Sequence, residues 1–158
     1  MQKMMGLVRR CIEDYNMIEA GDRVAVGVSG GKDSLTLLVV LAALREYYPI
    51  KFDLAALSVD MGLGGMDFSP VAELCARLNV PYLVKKTEIG PIIFDYRKEK
   101  NPCSMCAKMR RGALNDLMRE QGYNKIALGH HYDDAVETFL MSLLYEGRIS
   151  CFEPVTYL

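Results

Sequence analysis

A short apolar segment, a glycine-rich turn and a longer apolar segment follow one another near the start of this chain. The turn, residues 29–34, reads S-G-G-K-D-S and lies between Val24–Val28 and Leu35–Leu44. This order predicts a strand, a tight turn and a helix. Such a turn points backbone N–H groups and a helix N-terminus at one spot, where they bind an anion. Because Lys32 and two serine hydroxyls add donors, we expect a phosphate or pyrophosphate ligand.

Two other phosphate-binding loops do not fit this turn. The Walker A pattern, G-x-x-x-x-G-K-S/T, fails because Val26 replaces its first glycine and Asp33 follows the lysine. The dinucleotide pattern G-x-G-x-x-G fails because the glycines have the wrong spacing. The remaining alternative is a turn without a ligand, in which Asp33 or Ser34 only caps the helix.

Strand and helix patterns alternate along the whole chain. We expect strands at Arg23–Val28, Phe52–Val59, Tyr82–Lys85 and Lys125–Leu128, and helices at Leu7–Ile18, Ser34–Tyr47, Ser69–Leu78, Ser104–Gln121 and Asp133–Glu146. Thr87–Pro102 is expected to be irregular or briefly helical. Alternation of this kind predicts an α/β fold, with a parallel sheet between two layers of helices. Ligands of such sheets bind beyond the carboxyl ends of the strands, where residues 29–34, 60–65 and 129–134 lie.

Ile149–Leu158 has the pattern of one more strand that stops early. We therefore expect either a chain cut before its domain is finished or a short relative of a longer protein.

Composition is that of an ordinary globular domain: 158 residues, 51% hydrophobic and 25% charged, with a net charge of −1. The balance does not indicate a general nucleic-acid binder, but residues 97–111 carry six basic side chains against one glutamate. This stretch is either a solvated surface or a local phosphate-binding patch. No segment has transmembrane length and no signal peptide is evident, so we expect a cytoplasmic protein. Five cysteines in that setting argue against a disulfide framework.

Cys103 and Cys106 form a C-x-x-C pair at the start of a predicted helix. A redox dithiol, half of a zinc site and part of an iron–sulfur site all use this spacing, and a pair without a role is a further alternative. Cys11 and Cys75 occupy apolar helical positions and are expected in the core.

Asp133 and Asp134 lie at the start of the last predicted helix, after Gly129-His130-His131. Carboxylates beside a phosphate site commonly hold Mg²⁺, which offsets the charge of ATP. Capping of the helix by either aspartate is compatible with this role. The adjacent histidines are a weaker candidate for a metal pair.

Three motifs in the same order resemble one enzyme group. The 29–34 turn resembles the PP-loop of N-type ATP pyrophosphatases. Together with P-C-S-x-C-x-x-x-R-R (Pro102–Arg111) and G-H-H-x-D-D (Gly129–Asp134), it is similar to the tRNA 2-thiocytidine synthetases and the related 2-thiouridine enzymes. The resemblance implies a Rossmann-like, three-layer fold of the adenine nucleotide alpha hydrolase type, with residues 1–158 as one PP-loop ATP pyrophosphatase domain that is incomplete at its C-terminal end.

In that group, ATP adenylates the C2 carbonyl oxygen of a tRNA pyrimidine, and a sulfur nucleophile then displaces AMP. The resemblance implies ATP, Mg²⁺ and a [4Fe-4S] cluster held by Cys103, Cys106 and a third cysteine. The third ligand is expected to be either Cys151 or a cysteine of a later motif, C-terminal to Leu158. It also implies tRNA, with a cytidine as the expected target base, a sulfur donor and a homodimer as partners.

The resulting site prediction has three parts. Lys32 and Asp133 are the predicted catalytic residues. The predicted nucleotide-binding residues are Gly27, Val28, Ser29, Gly30, Gly31, Lys32, Asp33, Ser34, Asp60, Gly129 and Asp134. Gly27, Val28 and the backbone near 58–61 are included for adenine, because these strand ends flank the turn. Two alternatives remain open: a lysidine synthetase-like ligase, which does not need the cysteine pair, and a non-catalytic ATP- or metal-binding module.

Overall fold

Four parallel strands form the centre of the molecule. The computed structural model describes residues 2–97 and 102–157. The strands are β1 (Arg23–Gly27), β2 (Asp53–Asp60), β3 (Tyr82–Lys86) and β4 (Lys125–Ala127). They form one sheet in the order β3-β2-β1-β4, so the chain crosses from one edge to the other between β3 and β4.

Helices cover both faces of this sheet. They are α1 (Gln2–Asp14), α2 (Lys32–Tyr47), α3 (Ser69–Arg77), α4 (Ile89–Pro91), α5 (Pro102–Glu120) and α6 (Tyr132–Met141). Two π-helical segments, Ile92–Arg97 and Ser142–Glu146, continue α4 and α6. The predicted three-layer α/β fold is confirmed.

The strand side chains alternate between two cores, as the period of a strand requires. Val24 and Val26 point to one face, where they meet buried residues of α1, α2 and α3. Ala25 and Leu57 point to the other face, where they pack against Leu117 in the C-terminal half of α5. The two central strands, β1 and β2, are apolar on both sides because helices cover both faces.

A third, smaller core lies at the carboxyl end of β2. Val59 packs there with Ile89 and Ile93, and the N-terminal half of α5 covers them through Met105 and Cys106. The N-terminus of α5 therefore lies at the same sheet edge as the carboxyl ends of the strands. Its C-terminus lies at the opposite edge, where the Gly122 carbonyl just after the helix accepts a hydrogen bond from Arg23 at the start of β1.

The first helix differs from the prediction at both ends. It begins at Gln2 and stops at Asp14, because Asn16 adopts a left-handed backbone (φ 48°) and the Met17 N–H donates to the Ile12 carbonyl. Cys11 is exposed on this helix, so its predicted place in the core is wrong. The neighbouring position, Ile12, faces the sheet instead. Cys75 is buried as predicted.

The predicted extra strand in Ile149–Leu158 is also wrong over residues 149–157, which form no strand; Leu158 lies outside the described residues. The segment packs on the start of α6 rather than along β4. The Cys151 thiol donates to the Ala135 carbonyl, and the Phe152 ring lies 5.2 Å from the His130 ring.

Within residues 2–97 and 102–157, no helix combines the length and apolar character needed to cross a membrane. The segment Thr87–Pro102, which was predicted to be irregular or briefly helical, contains α4 and the π-helical segment that follows it. Its residues 98–101 lie outside the described ranges.

Candidate functional site

The turn after β1 is held closed by its own serine side chains. Ser34 is buried, and its hydroxyl makes two hydrogen bonds within the turn. The Oγ accepts from the Ser29 N–H at 3.2 Å and donates to the Gly31 carbonyl at 2.9 Å. Gly30 has a φ of 84°, which favours glycine, and Gly31 is extended just before α2 begins at Lys32. The first-turn N–H groups of α2 have no partner within the helix, so the turn has the features of an anion site.

Lys32 and Asp33 form an ion pair at the mouth of this turn. The Lys32 Nζ donates to both Asp33 carboxylate oxygens, at 2.8 and 2.9 Å. The hydrogen bond that Lys32 donates to Asp33 raises the pKa of Lys32, and the same bond lowers the pKa of Asp33. Lys32 is therefore cationic at neutral pH, and its side chain is 83% exposed and within reach of a ligand.

The turn after β4 packs directly against the turn after β1. A Cβ atom on Gly129 would lie 2.9 Å from the Asp33 carbonyl carbon and 2.9 Å from the Ser34 nitrogen. Only a glycine allows this approach. It brings together two loops from neighbouring strands at the point where the strand order reverses, which is where sheets of this type bind ligands.

Asp134 caps α6 by accepting the His131 N–H at 2.8 Å. The His131 ring lies between two carboxylates, with Nδ1 3.5 Å from Asp134 and Nε2 3.8 Å from Asp33. Asp133 is exposed beside this cap. Asp134 therefore both caps α6 and lies at the cleft.

A cleft of about 320 Å³ opens between these loops. Its lining joins residues from β1, β2, α5, the 61–68 loop and the turns after β1 and β4: Gly27, Val28, Ser29, Gly31, Asp33, Ser34, Leu57, Val59, Met61, Met66, Phe68, Arg110, Leu114, Leu128, Gly129, His130 and Asp134. Most of the predicted nucleotide-binding residues are therefore brought to one place.

Four predicted site residues lie outside that lining: Gly30, Lys32, Asp60 and Asp133. Gly30 and Lys32 are in the anion turn itself. The Asp60 carboxylate accepts the Gly62 N–H at 2.9 Å, so it supports the glycine loop after β2. The roles of all four remain predictions.

Sequence reasoning missed five apolar residues of the cleft and left the place of Arg110 undecided; the five are Leu57, Met66, Phe68, Leu114 and Leu128. Met66 and Phe68 line one wall, and the only local signal was large apolar side chains in an otherwise polar glycine loop. Arg110, part of the basic 97–111 stretch, also lines the cleft, whereas Lys98 and Lys100 of that stretch lie outside the described residues.

The cysteine pair lies in the first turns of α5. Cys103 is exposed, and Cys106 is half-buried against the small core at the end of β2. Both thiols are free, and the described residues contain no cluster of three or more metal-ligating side chains. The pair therefore fits two ligands of an iron–sulfur cluster, and Cys151 does not join it in the described parts of the chain.

Comparison with known proteins gives a consistent result. The sequence pattern of the PP-loop domain family matches residues 5–152. The chain is 42% identical over 154 residues to the tRNA-cytidine(32) 2-sulfurtransferase of Geobacter metallireducens, covering 97% of this chain and 60% of that protein. It is 41% identical to the same enzyme of Anaeromyxobacter dehalogenans, covering 97% of this chain and 53% of the relative. The chain thus spans about half to three-fifths of the length of these curated relatives.

Two solved structures share the architecture. The U34-tRNA thiolase NcsA from Methanococcus maripaludis, solved with its [4Fe-4S] cluster, superposes with a TM-score of 0.75 at 26% identity, over 89% of this chain and 49% of that one. An NH3-dependent NAD synthetase from Campylobacter jejuni superposes with a TM-score of 0.51 at 19% identity, over 92% of this chain and 73% of that one. The second likeness concerns the fold alone.

Proposed function

The chain belongs to the PP-loop domain family, and from that premise we propose that it uses ATP to activate a tRNA cytidine for thiolation. In this reaction the C2 carbonyl oxygen attacks the α-phosphate of ATP, pyrophosphate leaves, and a sulfur nucleophile then displaces AMP. The observation that best supports this proposal is that the anion turn and the turn after β4 meet at one cleft. The helix with the cysteine pair, α5, also contributes residues to the lining of this cleft. The names of the curated relatives support tRNA cytidine as the substrate.

The leaving pyrophosphate is assigned to the turn after β1. Its negative charge is stabilised by the N-terminus of α2 and by Lys32, which exchanges its Asp33 partner for a phosphate. Stabilising the leaving group lowers the barrier because charge accumulates on it as the α-phosphate bond breaks.

Adenine is assigned to the apolar wall of the cleft. The lining there includes Gly27 and Val28 at the end of β1 and the apolar side chains of Met61, Met66 and Phe68. An aromatic base is held well between such surfaces, and the polar turn then receives the phosphates.

Mg²⁺ is assigned to the exposed Asp133, with Asp134 beside it on the cleft. Mg²⁺ is commonly bound by one or two carboxylates together with substrate phosphates. A site of this kind needs few protein ligands, which agrees with the small number of carboxylates at the cleft.

The cysteine pair is assigned as two ligands of a [4Fe-4S] cluster. Cys103 and Cys106 have the C-x-x-C spacing of such ligands, and the structural neighbour NcsA contains this cluster. Such a cluster would supply the sulfide that acts as the nucleophile. The protein's own contribution is to carry both thiols on α5, the helix that also supplies Arg110 and Leu114 to the lining of the cleft.

The remaining partners are a sulfur donor and a second copy of the chain, in the cytoplasm. A homodimer is supported by the large apolar side chains that are exposed on α6 and the segment after it: Val136, Phe139, Leu140, Met141, Leu143, Leu144, Tyr145 and Ile149.

The test is to incubate the purified protein, carrying its reconstituted cluster, with Mg²⁺, sulfide, bulk tRNA and ATP labelled with ³²P at either the α- or the γ-phosphate, and to separate the labelled products. We expect AMP with pyrophosphate, dependent on tRNA and absent in Lys32→Ala. Formation of ADP with phosphate contradicts the proposal. If the tRNA product carries lysine rather than sulfur when both are supplied, the lysidine synthetase-like alternative is correct.

A further inference from the structure

We infer that Arg110 is a second cationic substrate contact, which binds the α-phosphate that stays with AMP. This inference rests on the proposed function and deepens it. The observation that supports it is that Arg110 lines the cleft while its neighbour Arg111 does not, although both are on α5.

The charges of the cleft require such a cation. The described lining contains two carboxylates, Asp33 and Asp134, and Arg110 is its only lysine or arginine. A triphosphate entering this cleft meets both carboxylates, which repel it unless a cation offsets them. Lys32 lies at the anion turn rather than in the lining, so it offsets charge at the pyrophosphate end.

The position of Arg110 on α5 follows from Leu114, one turn later. The Leu114 Cδ2 lies 3.0 Å from where a Cβ of Gly27 would be, so this helical turn lies against the last residue of β1. Four residues of α-helix rise by about 6 Å, which places Arg110 beyond the carboxyl end of that strand.

The same helix face carries the cysteine pair. Cys103, Cys106 and Arg110 follow the i, i+3, i+7 spacing that puts side chains on one side of a helix. Along the helix, Arg110 is nearer than either thiol to the level of Gly27, just before the turn that receives pyrophosphate, and is therefore intermediate between the two. In an adenylation, the phosphate in that intermediate position is the α-phosphate, since it is bonded first to pyrophosphate and then to the base.

Arginine suits this task. Its planar guanidinium donates two parallel hydrogen bonds to a phosphate, whereas lysine acts as a single point charge. Because the α-phosphate carries negative charge both before and after the bond to pyrophosphate breaks, Arg110 contributes to binding of AMP as well as of ATP. Lys32, by contrast, contributes to binding of pyrophosphate.

This division of labour is tested by calorimetric titration of AMP and of inorganic pyrophosphate, separately, into the parent chain, Arg110→Ala, Arg110→Lys and Arg111→Ala. We expect Arg110→Ala to weaken AMP binding about 10- to 100-fold, the loss of charge-assisted hydrogen bonds, and to leave pyrophosphate binding within about twofold. Arg110→Lys recovers part of the loss, and Arg111→Ala changes neither affinity. Circular dichroism checks that each variant is folded like the parent.

Two results overturn the inference: an AMP affinity of Arg110→Ala within twofold of the parent, or an equal loss in Arg111→Ala. Equal weakening of AMP and pyrophosphate by Arg110→Ala also contradicts it, because the residue then acts on the whole site. Failure of the proposed function has a different signature, since the parent chain then binds AMP and pyrophosphate but forms neither from ATP.

Discussion

Replacing Gly129 by alanine tests the contact on which the cleft depends. The added Cβ would lie 2.9 Å from two backbone atoms of Asp33 and Ser34 and 3.0 Å from the Asp33 carbonyl oxygen. Ordinary contacts begin at 3.4 Å, so the two loops must separate by about 0.5 Å. All three obstructing atoms are backbone, which cannot move aside as a flexible side chain does. Overpacking of this kind costs about 1–3 kcal/mol.

The measurement combines urea unfolding with titration of pyrophosphate. We expect Gly129→Ala to lower the free energy of unfolding by about 1–3 kcal/mol. It should also weaken pyrophosphate binding by about tenfold or more, because small displacements of positioned donors reduce binding and catalysis strongly. The donors displaced here are the N–H groups in the first turn of α2, including those of Asp33 and Ser34.

Gly112→Ala is the matched control. Gly112 lies within α5, is exposed, and has no atom within 4 Å of the point where an added Cβ would lie. Alanine should stabilise this helix by about 0.5–1 kcal/mol and leave pyrophosphate binding unchanged. If Gly129→Ala unfolds at the parent's urea concentration and binds pyrophosphate equally well, the reasoning about the two loops is refuted.

Three further predictions concern other parts of the molecule. Lys32→Ala should weaken pyrophosphate binding by about 10- to 100-fold in titration, because a charge-assisted contact is lost, and unchanged release of pyrophosphate from ATP would refute the assignment. Cys103→Ala, reconstituted anaerobically, should lose the iron and sulfide of the parent while ATP binding persists; the exposed Cys11→Ala is the control, and equal iron content in the Cys103 variant excludes a ligand role. Burial acts to raise the pKa of Asp22, but hydrogen bonds from the Glu19 N–H, Lys125 and Asn124 outweigh it and hold the pKa below the usual 3.8. This carboxylate therefore stabilises the fold above pH 3.8, and the stability is lost as the pH falls through the lower folded-state pKa. Asp22→Asn should cost about 1–3 kcal/mol near pH 7 and flatten the acid side of the stability profile in urea unfolding; a profile parallel to the parent's would contradict this origin.

The phosphate-binding turn could be predicted because consecutive residues of the sequence form it. The 29–34 turn indicates a strand, an anion loop and a helix, and parallel topology then places 129–134 at the same edge. The buried, two-sided strands likewise predict the layered fold directly from their continuous apolar runs.

The rest depends on long-range packing that a local pattern does not contain. Arg110 enters the cleft while Arg111 does not, because Leu114 fixes the rotation of α5 against Gly27. Met66 and Phe68 line the cleft together with Val28 and Val59 from the strand ends, a proximity that the loop sequence alone does not contain. The prediction for Cys11 was wrong for a similar reason, since the rotation of α1 puts Ile12 rather than its neighbour against the sheet.

The central claim is that ATP activates the C2 oxygen of a tRNA cytidine, and the fate of that oxygen tests it most directly. A tRNA with ¹⁸O at C2 of the target cytidine is incubated with ATP, Mg²⁺, sulfide and the protein carrying its reconstituted cluster, and the AMP is analysed by mass spectrometry. We expect one ¹⁸O atom in the phosphate of AMP for each 2-thiocytidine formed. Unlabelled AMP accompanying the thiolated product would contradict the claim.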